Sequence, residues 1–179
     1  MLEGEKDFGS TPDEKEKTED QNTSSIQKEE SKKENGENQS SLQNEEYEIS
    51  KTDLHIKTRK FLEDNGLSVA DINDIFYREN GEIKPLYEDL NCTQMSESQI
   101  RLALLSGLEN GLSTGEFTFD VKFVRDRCKD HKCYDGKNFI ANFRNNDQLW
   151  DDFSDYKEQP IKISTEGKTE LAIVIKDVS

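Results

Sequence analysis

Apolar side chains are scarce up to residue 50 and then recur at helical and strand spacing. Within residues 1–50 the sizeable ones are Met1, Leu2, Phe8, Ile26, Leu42, Tyr47 and Ile49. So little apolar surface cannot offset the entropy of ordering a chain, which predicts a disordered arm over residues 1–50. Beyond it, Ser50 and Asp53 form a capping pair for a helix with Leu54, Phe61 and Leu62 at helical spacing, stopped by Asn65-Gly66. Ser68 and Asp71 bracket a second first turn, with Val69, Ile72, Ile75 and Phe76 as its buried stripe. Asn80-Gly81 predicts a hairpin whose second strand, holding Pro85, is an edge; a helix end followed by an extended segment fits the same residues.

The strongest helical pattern follows. Ser96 and Gln99 match a capping box, and Ile100, Leu104, Leu108 and Leu112 recur every four residues. Leu102 and Leu105 widen that stripe, so this helix is expected at the centre of the core. Gly111 and Gly115 release the chain into EFTFD, where Phe117 and Phe119 alternate with polar residues as in a strand. Asp120 is placed to cap a helix with Val121, Val124 and Cys128 inward. Asp135-Gly136 opens another, expected over residues 136–150. Ile161 and Ile163 alternate as a strand, and TEGKTELAIVIKDV reads as a final helix. The fold class is therefore mainly α with short β elements (α+β). Residues 51–95 are expected to form a helical subdomain with a hairpin and residues 96–179 a second unit.

From residue 96 the order is helix, short strand, helix, turn, helix, strand, helix. With the strand EFTFD, the tight turn DHKCYDG and the passage KISTEGKTELA, this resembles a winged helix-turn-helix domain. The resemblance spans residues 96–179. It implies a helix-turn-helix that docks on double-stranded DNA and a wing between Asp151 and Gln159, a cramped interval that also holds Asp152, Asp155 and Glu158.

Charge adds to this picture. On a helix over 136–150, Phe139, Ile140, Phe143 and Trp150 share one side, while Lys137, Ala141, Arg144 and Gln148 share the other, flanked by Asn138 and Asn145. Arginine, asparagine and glutamine are the side chains that read base edges, and Lys122, Lys129 and Lys132 would meet phosphates. Residues 122–144 carry 7 basic and 3 acidic side chains in a chain of net charge −15. The same pattern equally describes an amphipathic helix with a solvated face. The acidic body repels phosphates over a Debye length of roughly 8 Å, and Asp147, Asp151, Asp152 and Asp155 crowd the end of the expected reading face. A protein partner therefore stands as the alternative to DNA. Residues 1–50, with 15 acidic and 6 basic side chains, would solubilise the domain or meet a partner.

Other chemistries find little in the sequence. Cys128, His131 and Cys133 would offer three zinc ligands, with Cys92 or His55 as a fourth, but C-x2-H-x-C lacks the second ligand pair of established zinc motifs. Lys129, His131 and Lys132 surround Cys133 with positive charge, yet no orienting third residue is identifiable for a nucleophile. Asp71 and Asp74, near Glu63 and Asp64, read as a solvated acidic face. No nucleotide, zinc-protease or hydrolase signature occurs. The expectation is a non-enzymatic protein without metal or cofactor. Three cysteines make no disulfide framework, and the longest apolar run is five residues, Leu171–Ile175, against the ~20 of a membrane span. With no apolar stretch behind an acidic start, no secretory signal is expected and the setting is cytoplasmic.

Overall fold

A computed structural model describes residues 47–151, 153 and 159–179. Most of the expected acidic arm, residues 1–46, lies outside them. Its last residues do not: Ile49 is 1% exposed and exchanges backbone hydrogen bonds with the Asn73 side chain.

Local chemistry sets the first elements. Ser50 donates to the Asp53 carboxylate through both backbone and hydroxyl, but this pair closes a turn over residues 51–54. The helix itself, α1 (Ile56–Asp64), starts one step later with His55 as its cap. Gly66, at φ +63°, then reverses the chain. Helix α2 (Val69–Asn73) carries the expected reciprocal Ser68–Asp71 capping box. Strands β1 (Phe76–Glu79) and β2 (Glu82–Pro85) pair antiparallel, Glu79 opposite Glu82. Asn80 and Gly81 between them both have positive φ, the backbone that a two-residue hairpin turn requires.

Helix α3 (Met95–Thr114) runs through the core, with Leu102, Ala103, Leu104, Leu105, Leu108 and Leu112 fully buried. The expected capping box at its start is absent. Gln94 is the cap residue and makes no side-chain cap, while Gln99 is fully buried and points elsewhere. A helix apolar on several sides turns position 99 inward, where a glutamine needs long-range partners. Gly115, at φ +73°, ends α3, and its neighbourhood joins the two halves of the chain. The His55 N–H donates to the Leu112 carbonyl, the buried Thr58 hydroxyl donates to the Gly111 carbonyl, and the Phe61 and Phe117 rings meet edge-on at 5.0 Å. Residues 51–95 and 96–179 thus share one hydrophobic core.

Strand β3 (Thr118–Phe119) leads into α4 (Val121–Asp130), capped by Asp120 through the Phe123 N–H, with Val121, Val124 and Cys128 buried as expected. The helix expected over residues 136–150 is much shorter: α5 covers Phe139–Arg144. A 3-10 turn follows at Asp147–Leu149, and Trp150 sits in strand β4 (Trp150–Asp151). The break has a visible cause. The Trp150 indole N–H and the Asn146 backbone N–H both donate to the Phe143 carbonyl, closing the helix there and folding the indole back over the Phe143 ring. Strand β5 (Ile161–Ile163) and helix α6 (Thr165–Val178), capped by Ser164, complete the described chain. The three short strands form an antiparallel sheet in the order β3-β5-β4. Six helices and two small antiparallel sheets are therefore present among the described residues. Of the expected wing, residues 152 and 154–158 lie outside those described.

Candidate nucleic-acid interface

Helix α4, the turn over residues 131–138 and α5 form the candidate site, held from beneath by aromatic packing. Phe139 and Phe143 of α5 are buried, and the Phe143 ring stacks with Trp150 at 5.6 Å and with Phe153 at 5.8 Å. Phe119 of β3 meets the Trp150 ring edge-on at 5.1 Å, so the sheet and the helix pair share one cluster.

The turn is shaped by α4's C-terminus. Lys132 takes φ +56°, and the Cys133 N–H donates back to the Cys128 carbonyl at 2.9 Å. This is the six-to-one bond of a Schellman ending, and the thiols of the residues at its two ends, Cys128 and Cys133, are hydrogen-bonded to each other. Both cysteines are buried, and burial pushes both thiols above their ordinary value. Buried thiols of raised pKa are poor nucleophiles. No cluster of three or more His, Cys, Asp or Glu placed to hold a metal ion occurs among the described residues.

The Gln99 amide NH₂ donates to the Cys133 carbonyl at 2.7 Å, and its carbonyl oxygen accepts from the Asn142 amide at 2.9 Å. One buried side chain of α3 thereby ties the turn to α5 and sets how that helix sits against α4. Asp135 does the local work at the head of α5. Its carboxylate accepts from the Asn138 side chain and the Lys137 N–H, which hold its pKa below the ordinary range, and its carbonyl accepts from the Phe139 N–H.

All eight candidate contact residues are solvent-exposed, but they are not equivalent. Arg144 alone lies within α5, beside the exposed Ala141; Asn145 is its C-cap and Asn138 its N-cap position. Lys137 sits in the preceding turn and Gln148 in the 3-10 turn, so the continuous helical stripe expected for Lys137, Ala141, Arg144 and Gln148 is interrupted at both ends. Asn138 is engaged by Asp135 at 2.6 Å. On α4, Lys122 and Lys129 are exposed, and Lys129 is paired with Asp126 at 2.6 Å. Lys132 projects from the left-handed turn position. Of the opposing acids, Asp151 bridges to Lys162 on the neighbouring strand at 2.9 Å, and Asp147 is exposed. Asp152 and Asp155 lie outside the described residues.

The sequence pattern assigns Gln99 to a local capping box instead of this tie, and gives no role to Asn142 or to the ionic group on α4's inner side. There Arg127 bridges to Glu109 at 2.6 Å and donates to the Tyr87 hydroxyl at 3.1 Å. Burial pushes the Tyr87 phenol up to about 12, although the Arg127 charge pulls the other way. Burial likewise raises the Glu109 carboxyl against the opposing pull of Arg127. The one available signal was the width of α3's apolar stripe, which demands a partner for any polar residue inside it.

The chain matches no family model, no curated protein and no solved structure. No helix among the described residues is long and apolar enough to cross a membrane.

Proposed function

We propose that the C-terminal half of this chain is a winged helix-turn-helix module of an intracellular regulator, and that it binds double-stranded DNA through α4, the turn and α5. The observation that carries the reading is the strand order. Helices α4 and α5 lie in sequence between β3 and β4, and the last strand, β5, inserts between those two. A winged helix-turn-helix uses the same arrangement to close its sheet behind the helix pair. Exposure of Lys137, Asn138, Arg144, Asn145 and Gln148 around a short second helix adds support, as does exposure of Lys122, Lys129 and Lys132. In this reading Arg144 and Asn145 meet base edges, and the lysines neutralise phosphates and position the module.

A protein-binding role on the same scaffold is the second reading. What favours it is that Lys129 and Asn138 are already engaged by Asp126 and Asp135, on a chain of net charge −15.

Fluorescence anisotropy of the full chain on duplex DNA separates the two. DNA binding predicts an affinity that falls steeply with salt, because each neutralised phosphate releases counterions. Lys137→Ala with Arg144→Ala should weaken binding, lower the salt slope by about 1 through the lost Lys137 phosphate contact and relax sequence preference through the lost Arg144 base contact, without changing thermal stability. Binding retained in that double variant overturns the assigned face. Absence of salt-sensitive binding to any duplex overturns the DNA reading in favour of the protein partner.

A further inference from the structure

A cleft of about 730 Å³ opens between the β1–β2 hairpin, α3 and the start of α4. Ligand pockets commonly have this volume. The cleft's chemistry is one-sided. Asp53, Glu82, Glu109 and Asp120 line it, against a single lining cation, Arg78. Arg78 is already matched to Asp53 at 2.7 Å. Glu82 on the hairpin and Asp120 at the head of α4 are both exposed to the opening.

Two further features point to the kind of occupant. Phe123, in the lining, leaves 47% of its surface exposed; one ring face carries the Arg127 guanidinium 4.5 Å from its centre, and the exposed remainder of the ring offers aromatic surface that attracts cations. Glu109, on the α3 wall, is the second. Its carboxyl is held above the ordinary range by burial even with Arg127 bridged to it. The negative form is therefore under-solvated, and a second positive group nearby would stabilise it. Exposed Ser113 and Asn110 add polar groups to the same wall.

We propose that this cleft binds an alkylammonium or guanidinium group, the chemistry shared by free polyamines and by lysine or arginine side chains of another polypeptide. The site is independent of the DNA reading, since none of the eight candidate contact residues lines it.

The test is an NMR titration of the isotope-labelled full chain with spermidine and, separately, with a blocked glycine peptide carrying one lysine and one arginine. Fully acetylated spermidine serves as the uncharged control. Saturable shifts are expected at the Gly81, Glu82, Asn110 and Thr118 amides with at least one cationic probe. The double variant Glu82→Gln/Asp120→Asn should weaken binding about tenfold. It should fold, because asparagine still caps α4 and Glu82 is exposed. Saturation by spermidine alone assigns a free amine, by the peptide alone a polypeptide, and by both upholds the site. The proposal is overturned by silence with both cations, by shifts spread over the whole acidic surface, by equal affinity in the double variant, or by equal binding of the acetylated control.

Discussion

Gln99→Leu tests how the helix pair is held. In the native fold the Gln99 amide satisfies the Cys133 carbonyl at 2.7 Å and the Asn142 amide at 2.9 Å, and Gln99 has no exposed surface. Leucine has nearly the same bulk and neither polar group. Cys133 is buried, so loss of its carbonyl's partner should cost about 2 kcal/mol; Asn142 is partly exposed and can turn to water, which lowers its share to about 1 kcal/mol. Leucine's more favourable burial offsets about 1 kcal/mol, leaving a net loss of about 2 kcal/mol. Urea unfolding followed by tryptophan fluorescence measures it directly. Trp150 is the only tryptophan, is 4% exposed and stacks on Phe143 of α5. Hydrogen exchange should rise more over residues 131–145 than in α6, because the lost bonds join the turn to α5. Gln99→Glu keeps the acceptor for Asn142 but loses the donor to Cys133 and buries a carboxyl, so it should be at least as damaging at neutral pH. A Gln99→Leu loss below about 0.5 kcal/mol, with exchange unchanged over residues 131–145, would refute this account.

Three other perturbations address separate supports. At Gly167 a Cβ would fall 2.2 Å from the Leu149 carbonyl oxygen and 2.7 Å from Ile163 Cγ2, so Gly167→Ala must move backbone. It should lower stability by about 2 kcal/mol or more in the same urea assay, and a neutral result would show that α6 can slide away from the 3-10 turn. Arg127→Met leaves Glu109 without its bridge and should cost about 3 kcal/mol, much of which the double variant with Glu109→Gln should restore; a double-mutant cycle reads the coupling. Asp71 is held below the ordinary carboxylate range mainly by the Ser68 hydroxyl and backbone N–H. A depressed folded pKa gives stability that is present above the unfolded value of about 3.9 and is lost as pH falls through the folded value. Asp71→Asn should therefore be less stable than the native chain at neutral pH, with the gap closing in strong acid; a gap that persists there would assign the loss to the substitution's shape instead of its charge.

Most of the secondary structure was legible because its causes lie within a few residues. The Ser68–Asp71 box, the Asn80-Gly81 turn, the Asp120 cap and the Ser164 start of the last helix each depend on neighbours at most four positions away; the Ile161–Ile163 strand showed in its own alternation, although its partners, Thr118–Phe119 and Trp150–Asp151, are distant. The apolar stripe of α3 also marked the centre of the core. Where expectation and fold parted, a distant partner decided. Periodicity ran a helix to residue 150, but the Trp150 indole prefers the Phe143 carbonyl and the ring cluster, which ends α5 early. Gln99 matched a local cap and instead serves a carbonyl 34 residues away. The candidate contact residues were named from their chemistry. Their exposure, the interruption of their stripe and their prior engagement by Asp126 and Asp135 emerged only in the fold.

Residue order alone thus places the region with enough apolar surface to fold, the locally capped elements, and the buried stripes of α3 and α4. Those are matters of composition, spacing and short-range hydrogen bonding. The strand order β3-β5-β4, the Gln99 tie between α3 and the helix pair, the Glu109–Arg127–Tyr87 group and the acidic cleft arise from long-range packing. Each of these joins residues far apart in the chain, and nothing in local propensity encodes which distant partner a buried polar group or an edge strand will find.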